Sequence, residues 1–325
     1  MDRDIDVSMD VDVNMDKSGL LKKIKVFVLD MDGTFYLGDK ILPDSLRFIA
    51  RVRETGRRFL FFTNNSSKTP ALYIEKLRRM GVKLERTDLL TSGDVCIDYL
   101  RENYRGSSVF LMGTESLKED FEAAGIRMVG DTGVGNGSEA GARGDMDTSV
   151  GNGRSVGVGG VDVAAGTGDA NVDSAGGKAG TPDVVVCAFD TELTYTKLER
   201  ACTYIRNGAI FLATHEDINC PTEDGFIPDC GSMCAAISLS TGRKPKFLGK
   251  PHSETVEKVL SATGASREEI AFVGDRLYTD VAAGVNNGAT GFLVLSGETK
   301  EEDLTASPIK PAAVFSGLGE IADLL

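Results

Sequence analysis

The chain has 325 residues, 41% hydrophobic and 26% charged, enough for two domains with a sizeable core and a well-solvated surface. Its 49 acidic residues outnumber 36 basic ones, and the formal net charge of -13 argues against a general affinity for nucleic acid or anionic membrane. No apolar run reaches the length of a membrane-spanning helix, and the acidic N-terminus lacks the apolar segment of a secretory signal. The six cysteines, Cys96, Cys187, Cys202, Cys220, Cys230 and Cys234, are too sparse for a disulfide scaffold. They are expected to be reduced thiols in a cytoplasmic protein. Cys230-x-x-x-Cys234 is half a zinc site without a matching second pair. With only His215 and His252 present, a His-rich metal centre is excluded, and a serine triad would have to use one of the two.

In chain order, the alternation of Asp with Val, Met or Ile near the start is too acidic for a strand, so residues 1–20 are expected to be a disordered acidic tail. The run Val26-Phe27-Val28-Leu29 has the character of a parallel strand buried on both faces. It leads at once into Asp30-Met31-Asp32-Gly33-Thr34. A helix is expected over 43–54 from the stripe Leu46, Ile49, Ala50 and Val52. A strand over 57–62 then ends in Thr63-Asn64-Asn65-Ser66. Thr69 as N-cap, Pro70 in the first turn and Gly81 past the last turn bracket the next helix, with Tyr73, Leu77 and Met80 on one face. A further helix is predicted over 92–104.

A strand over 109–113 and a helix over 115–124 open the second domain. Between 130 and 182 the composition falls to Gly, Asp, Ala, Ser, Val and Asn, with no aromatic residue and no helical stripe. Such a segment cannot bury enough apolar area to offset its ordering entropy, and it reads as a flexible insertion. Its pairs Gly133-Val134-Gly135 and Gly151-Asn152-Gly153 follow no strand and open no helix, so a dinucleotide loop is rejected. The irregular period rejects a calcium-binding repeat as well. Strands at 184–189, 210–213, 246–248, 270–273 and 291–295 then alternate with helices at 196–207, 231–240 and 280–286. That alternation argues for a parallel α/β fold of doubly wound type.

In such sheets ligands sit outside the carboxyl ends of the strands, where the sequence concentrates its polar residues. Asp30 and Asp32 could supply a nucleophile, handle a proton and hold a hard cation, with Gly33 permitting a sharp turn. Alone, the stretch is equally a strand running into a polar turn. Thr63 and Asn64-Asn65 could surround phosphate oxygens with donors. Gly249-Lys250-Pro251 places a lysine where it could neutralise a phosphate. Phe272-Val273-Gly274-Asp275 ends a strand in a further carboxylate, and Asp280 follows one helical turn later.

These four stretches, in this order, resemble the four motifs of the haloacid dehalogenase (HAD) superfamily. The long interval between Asn65 and Lys250 resembles its class II cap placement, after the second motif. Further stretches are similar to subfamily IIA, which includes NagD-like, p-nitrophenyl phosphate, phosphoglycolate and pyridoxal phosphate phosphatases. They are Phe189-Asp190, Leu193-Thr194-Tyr195-x-Lys197-Leu198, Ala213-Thr214-x-x-Asp217 and Gly231-Ser232-x-x-Ala235-Ala236. Departures are Asp229-Cys230 where Pro-Gly-x-Gly-Ser is common, His215 where Asn or Asp is usual, and no histidine near Cys220, where pyridoxal phosphatases place one.

The resemblance implies a Rossmann-like core over 21–106 and 228–325 and a C2-type α/β cap over 107–227, interrupted by the insertion. It implies a Mg2+-dependent phosphomonoesterase acting on a small phosphorylated metabolite through an aspartyl-phosphate. Asp30 would be nucleophile and Asp32 general acid and base, with Thr63, Asn64, Asn65 and Lys250 around the phosphate. Asp30, Asp275 and the main-chain carbonyl of Asp32 would hold the metal, supported by Gly33 and Asp280. The cap loop with His215, Asp217 and Cys220 would face the leaving group, and the cap would offer a homodimer contact. A non-catalytic phosphometabolite-binding protein on the same fold is the alternative. It would be marked by loss of a catalytic aspartate or of Lys250, and neither is lost.

Overall fold

A computed structural model describes residues 17–130, 181–222 and 225–325. The acidic segment through residue 16 and the Gly/Asp-rich stretch 131–180 lie outside the described residues. The expected tail is too long by a few residues, because Lys17–Lys23 is a helix. It forms because Leu21 and Ile24 are buried in the core and Lys17 reaches Glu320 at 2.6 Å.

Six parallel strands form the first sheet, in the order Ala313–Phe315, Thr290–Val294, Ile270–Gly274, Val26–Leu29, Arg58–Thr63, Leu89–Thr91. Val26–Leu29 is central and all four of its residues are buried. Successive strand residues point to opposite faces. Phe27 and Leu29 accordingly join one apolar cluster, with Phe35, Phe48 and Phe61, while Val26 and Val28 join another, with Leu60 and Phe62. Its register sets Leu29 beside Phe61 and Val273, so three adjacent strands end at the same level.

Five more parallel strands form a second sheet, in the order Lys246–Phe247, Ile210–Ala213, Val184–Cys187, Ser108–Met112, Arg127–Met128. One face packs Phe110, Val185 and Phe211 against helices Tyr195–Arg206 and Cys230–Thr241. The other face, with Leu111, Val186 and Leu212, shares an apolar cluster with helices Ser92–Asn103 and Ser253–Thr263 and with the first sheet. The expected boundary at 227/228 therefore falls too early. Helix Cys230–Thr241 buries Met233 and Ile237 against the second sheet, and strand Lys246–Phe247 extends its edge.

Local signals account for much of this. Thr69 caps helix Pro70–Arg79 by accepting from the Leu72 N–H, with Pro70 in the first turn. Two short hairpins, Tyr36–Leu37 with Lys40–Ile41 and Asn219–Thr222 with Gly225–Pro228, lie beyond the expected elements. The helix expected at 280–286 is a π-type turn, Leu277–Val281, continued by Ala282–Val285. Among the described residues, no helix is long and apolar enough to cross a membrane.

Leu21 gives a direct check on the N-terminal helix. Leu21→Ala should cost about 2–5 kcal/mol in urea unfolding, whereas Lys22→Ala, on the exposed side, should stay within about 0.5 kcal/mol. Equal effects would mean that this helix does not pack on the core.

Candidate active site

The site is assembled at the carboxyl ends of the three central strands of the first sheet. Asp30 follows Leu29 directly, and its N–H donates to the Val273 carbonyl at 2.9 Å. Gly33 turns the chain with φ +83°, and a Cβ there would lie 2.4 Å from an Asp275 oxygen. Only glycine permits both that conformation and that approach. Thr63 ends its strand with its hydroxyl accepting from the Asn65 N–H at 3.1 Å. Lys250 arrives from the loop after the second sheet, and its ammonium lies 2.6 Å from Asp30, 2.6 Å from Asp280 and 3.3 Å from the Phe62 carbonyl.

These groups are nearly dry: Lys250 is 3% exposed, Asp275 3% and Asp280 2%. Burial works against the charge on Lys250, but Asp280 and Asp30 outweigh it and raise its pKa. Burial raises Asp30, with Asp280 adding to it and Lys250 opposing. Asp275 is pushed up to about 6 by burial and by Asp280, against the Glu298 N–H that donates to it at 2.7 Å. Oxygens of Asp30, Asp275 and Asp280 lie within 4.8 Å of one another. Three carboxylates face one ammonium, and the nearby Arg276 is paired with Glu298 at 2.8 Å. The excess of two negative charges and the all-oxygen donor set fit a hard divalent cation. Asp280 is committed to Lys250 and to the Arg276 N–H, which leaves Asp30 and Asp275 the freer pair. The Asp32 carboxylate is not part of this cluster. It stands exposed, with the Gly38 N–H at 3.5 Å, and partial desolvation raises its pKa against the pull of Lys76.

Asp30, Asp32, Thr63, Asn64, Asn65, Lys250, Asp217, Cys220 and Asp280 all line one cleft of about 700 Å3, open to solvent. Asp275 lies behind its wall. The side chain of Asn64 is used differently from expectation. Its Oδ1 accepts the Lys250 N–H at 2.9 Å, and its Nδ2 donates to the Lys250 carbonyl at 3.0 Å and to Asp217 at 3.2 Å. It clamps the lysine loop and ties it to the loop after Ala213. The Asn65 carboxamide oxygen similarly accepts from the Ser67 N–H at 3.0 Å and hydroxyl at 2.7 Å. The Asn65 Nδ2 reaches only the Cys220 sulfur, at 3.8 Å, and keeps an N–H for a ligand.

His215 was expected to face the leaving group, and it does not. Its side chain is wholly buried, held 3.4 Å from Asp217 and 3.5 Å from Asp229, and neither ring nitrogen makes a well-formed hydrogen bond. The two carboxylates draw the ring inward, where it braces the loop behind the cleft. Burial lowers its pKa, but Cys230, Asp217 and Asp229 outweigh that and lift it to about 9. The cleft also takes Tyr36 from the first hairpin and Lys68, Tyr73, Lys76, Asp229 and Arg276. Arg276 lies within the fourth motif and Asp229 is one of the departures noted above, whereas Tyr36, Lys68 and Lys76 had no signal in the sequence.

The profile of the haloacid dehalogenase-like hydrolases matches residues 27–127, and that of the HAD-hydrolase-like family matches 247–321. The chain belongs to the HAD superfamily of hydrolases. It is 30% identical over 305 residues to an acid sugar phosphatase of Staphylococcus aureus, covering 94% of this chain and 99% of the relative. Among solved structures it resembles a 4-nitrophenylphosphatase of Thermotoga maritima, with TM-score 0.76 and 40% identity over 94% of this chain and 98% of that one. NagD of Escherichia coli K-12 gives TM-score 0.72 and 25% identity over 93% and 99%. Within the superfamily the chain is of subfamily IIA.

The raised pKa of His215 carries a sign that can be measured. A histidine that gains protons on folding stabilises fully below its unfolded pKa, and that contribution is lost as pH rises through the folded value. The stability difference between wild type and His215→Asn should therefore be largest below about pH 6.5 and shrink as pH passes about 9. The change should be on the order of 1–3 kcal/mol in urea unfolding. A difference constant from pH 6 to 10 would mean that the buried ring is neutral.

Proposed function

We propose that the protein is a Mg2+-dependent phosphomonoesterase acting on small phosphate esters of the sugar and aryl classes, through a phosphoryl group carried on Asp30. The observation that carries this is the Asp30–Lys250–Asp280 chain at the end of the central strand, with Asp32 free and exposed two residues on. Phosphatase activity of subfamily relatives supports it.

In the first step an Asp30 oxygen attacks phosphorus, and the bond from phosphorus to the ester oxygen breaks. The Asp32 carboxyl, whose raised pKa favours the protonated form, gives its proton to the departing oxygen. In the second step the Asp32 carboxylate takes a proton from water as that water attacks phosphorus. The bond to Asp30 breaks, phosphate leaves and both aspartates are restored. Lys250 keeps its charge throughout, because Asp280 and Asp30 flank it, and it offsets the negative charge of the bound phosphoryl group. The Thr63 hydroxyl and the main-chain N–H groups that follow donate to the equatorial oxygens. Asp30, Asp275 and the main-chain carbonyl of Asp32 would hold Mg2+, which when bound neutralises charge on the phosphoryl group and on Asp30.

The second sheet and its helices, among residues 108–130, 181–222 and 225–247, act as a cap. Asp217, Cys220 and the hairpin Asn219–Thr222 with Gly225–Pro228 stand over the cleft and meet the leaving group.

Phosphate release from a panel of sugar and aryl phosphates is the first test. Wild type should release phosphate only with Mg2+, and chelation should abolish turnover reversibly. Asp30→Asn should be inactive while its melting temperature stays close to that of wild type. Retained turnover in that variant would sink the mechanism.

Asp32→Asn separates the two steps. 4-Nitrophenolate leaves without a proton, so its single-turnover release should fall far less than release of a sugar alcohol, which should drop by about 10²–10⁴-fold. Equal losses for both leaving groups would remove the general-acid role.

A further inference from the structure

Behind the cleft wall lies a group of side chains that phosphoryl transfer does not use. Cys187, at the end of strand Val184–Cys187, meets Cys230 and Cys234 on the first turns of helix Cys230–Thr241. All three are 0–1% exposed, and their sulfurs lie within 4.8 Å of one another, with Cys230 and Cys234 4.0 Å apart. Three sulfurs bound to one ion in a plane at about 2.3 Å stand about 4.0 Å apart. The Cys230–Cys234 separation equals that of a trigonal thiolate site, and the third sulfur lies within 4.8 Å of both before any ion is added.

We propose that Cys187, Cys230 and Cys234 form a binding site for one soft, thiophilic cation, separate from the carboxylate site of the cleft. Soft sulfur donors select zinc, cadmium or copper(I) over Mg2+, whereas the Asp30 and Asp275 oxygens select the reverse, so the two sites do not compete.

The surroundings of Cys230 favour a bound thiolate over a merely packed thiol. Its sulfur receives the Thr214 hydroxyl at 3.8 Å and stands at the N-terminus of a 12-residue helix, whose dipole favours negative charge. Hydrogen bonds with the Cys187 and Cys234 thiols, and then the positive charge of the buried His215 ring, lower the Cys230 pKa against the effect of burial. Three thiolates and a divalent ion leave one net negative charge, which protonated His215 opposes. Burial raises the Cys187 thiol, and the hydrogen bond with Cys230, with burial, raises Cys234 against the opposing Cys187 contact, so these two release their protons only when the ion arrives. Cys230 directly follows Asp229, which lines the cleft and caps the same helix. The site is therefore one residue behind the cleft wall, and an ion there would pin the helix start that carries Asp229.

The test is a Cd2+ titration of the full chain, reduced and with saturating Mg2+, read by the sulfur-to-cadmium charge-transfer band. One ion per chain is expected. Cys187→Ser and Cys234→Ser should each weaken binding at least tenfold, while Cys220→Ser, at the cleft, should leave the band unchanged. No band on folded wild type, or a band unaffected by both serine variants, would overturn the proposal. Should those variants fail to fold, X-ray absorption at the cadmium edge of wild type decides: three sulfur neighbours are expected, and one or none would overturn it.

Discussion

The buried ammonium of Lys250 is the constraint on which the rest of the site depends. An unpaired lysine at 3% exposure would lose its proton or unfold its surroundings, because a desolvated charge is tolerated only when paired. Asp30 and Asp280, each at 2.6 Å, supply the pairing, and their own burial is tolerated for the same reason. Removing both partners would strand the ammonium in a dry pocket, whereas removing one leaves the other to pair it. The three side chains therefore hold one another in place, with Asp30 at the end of the central strand and Asp280 in the turn that follows its neighbour Ile270–Gly274.

A second layer of hydrogen bonds holds the lysine's backbone rather than its charge. Asn64 grips both the N–H and the carbonyl of Lys250 and passes the connection to Asp217, which faces the buried His215. Through this chain the loop of the second sheet that overhangs the cleft is tied to the strand end proposed to receive the phosphate. A shift in one is felt in the other, which suits the proposed division between a cap that selects the leaving group and a core that does the chemistry.

Much of this was legible in the residues. Val26–Leu29 announced a strand buried on both faces because both of its faces are apolar, and Thr69-Pro70 announced a helix start because capping is local. The motifs after Leu29, Thr63 and Gly274 lie together because their parallel strands are neighbours in one sheet, and the Lys250 loop reaches them from the second sheet. What was not legible depends on distant partners. Asn64 looked like a phosphate ligand because its actual partners lie 153 and 186 positions away. His215 looked like a substrate residue until the carboxylates on either side of it became visible. Helix Cys230–Thr241 was assigned to the wrong sheet because its sequence does not say which apolar surface it will meet. The two-residue strands Tyr36–Leu37 and Lys40–Ile41 are too short for any period to register. The third thiol of the Cys187, Cys230 and Cys234 group lies 43 positions from the second, so only the fold brings it near.

The central claim is that Asp30 itself carries the phosphoryl group. It is tested most directly by quenching the enzyme in acid during turnover, reducing with borohydride and sequencing the peptides by mass spectrometry. Reduction converts a phosphorylated aspartate to homoserine, and the conversion is predicted at residue 30 alone, only when substrate and Mg2+ are present. Conversion at Asp32 or another carboxylate, or none during active turnover, would contradict it.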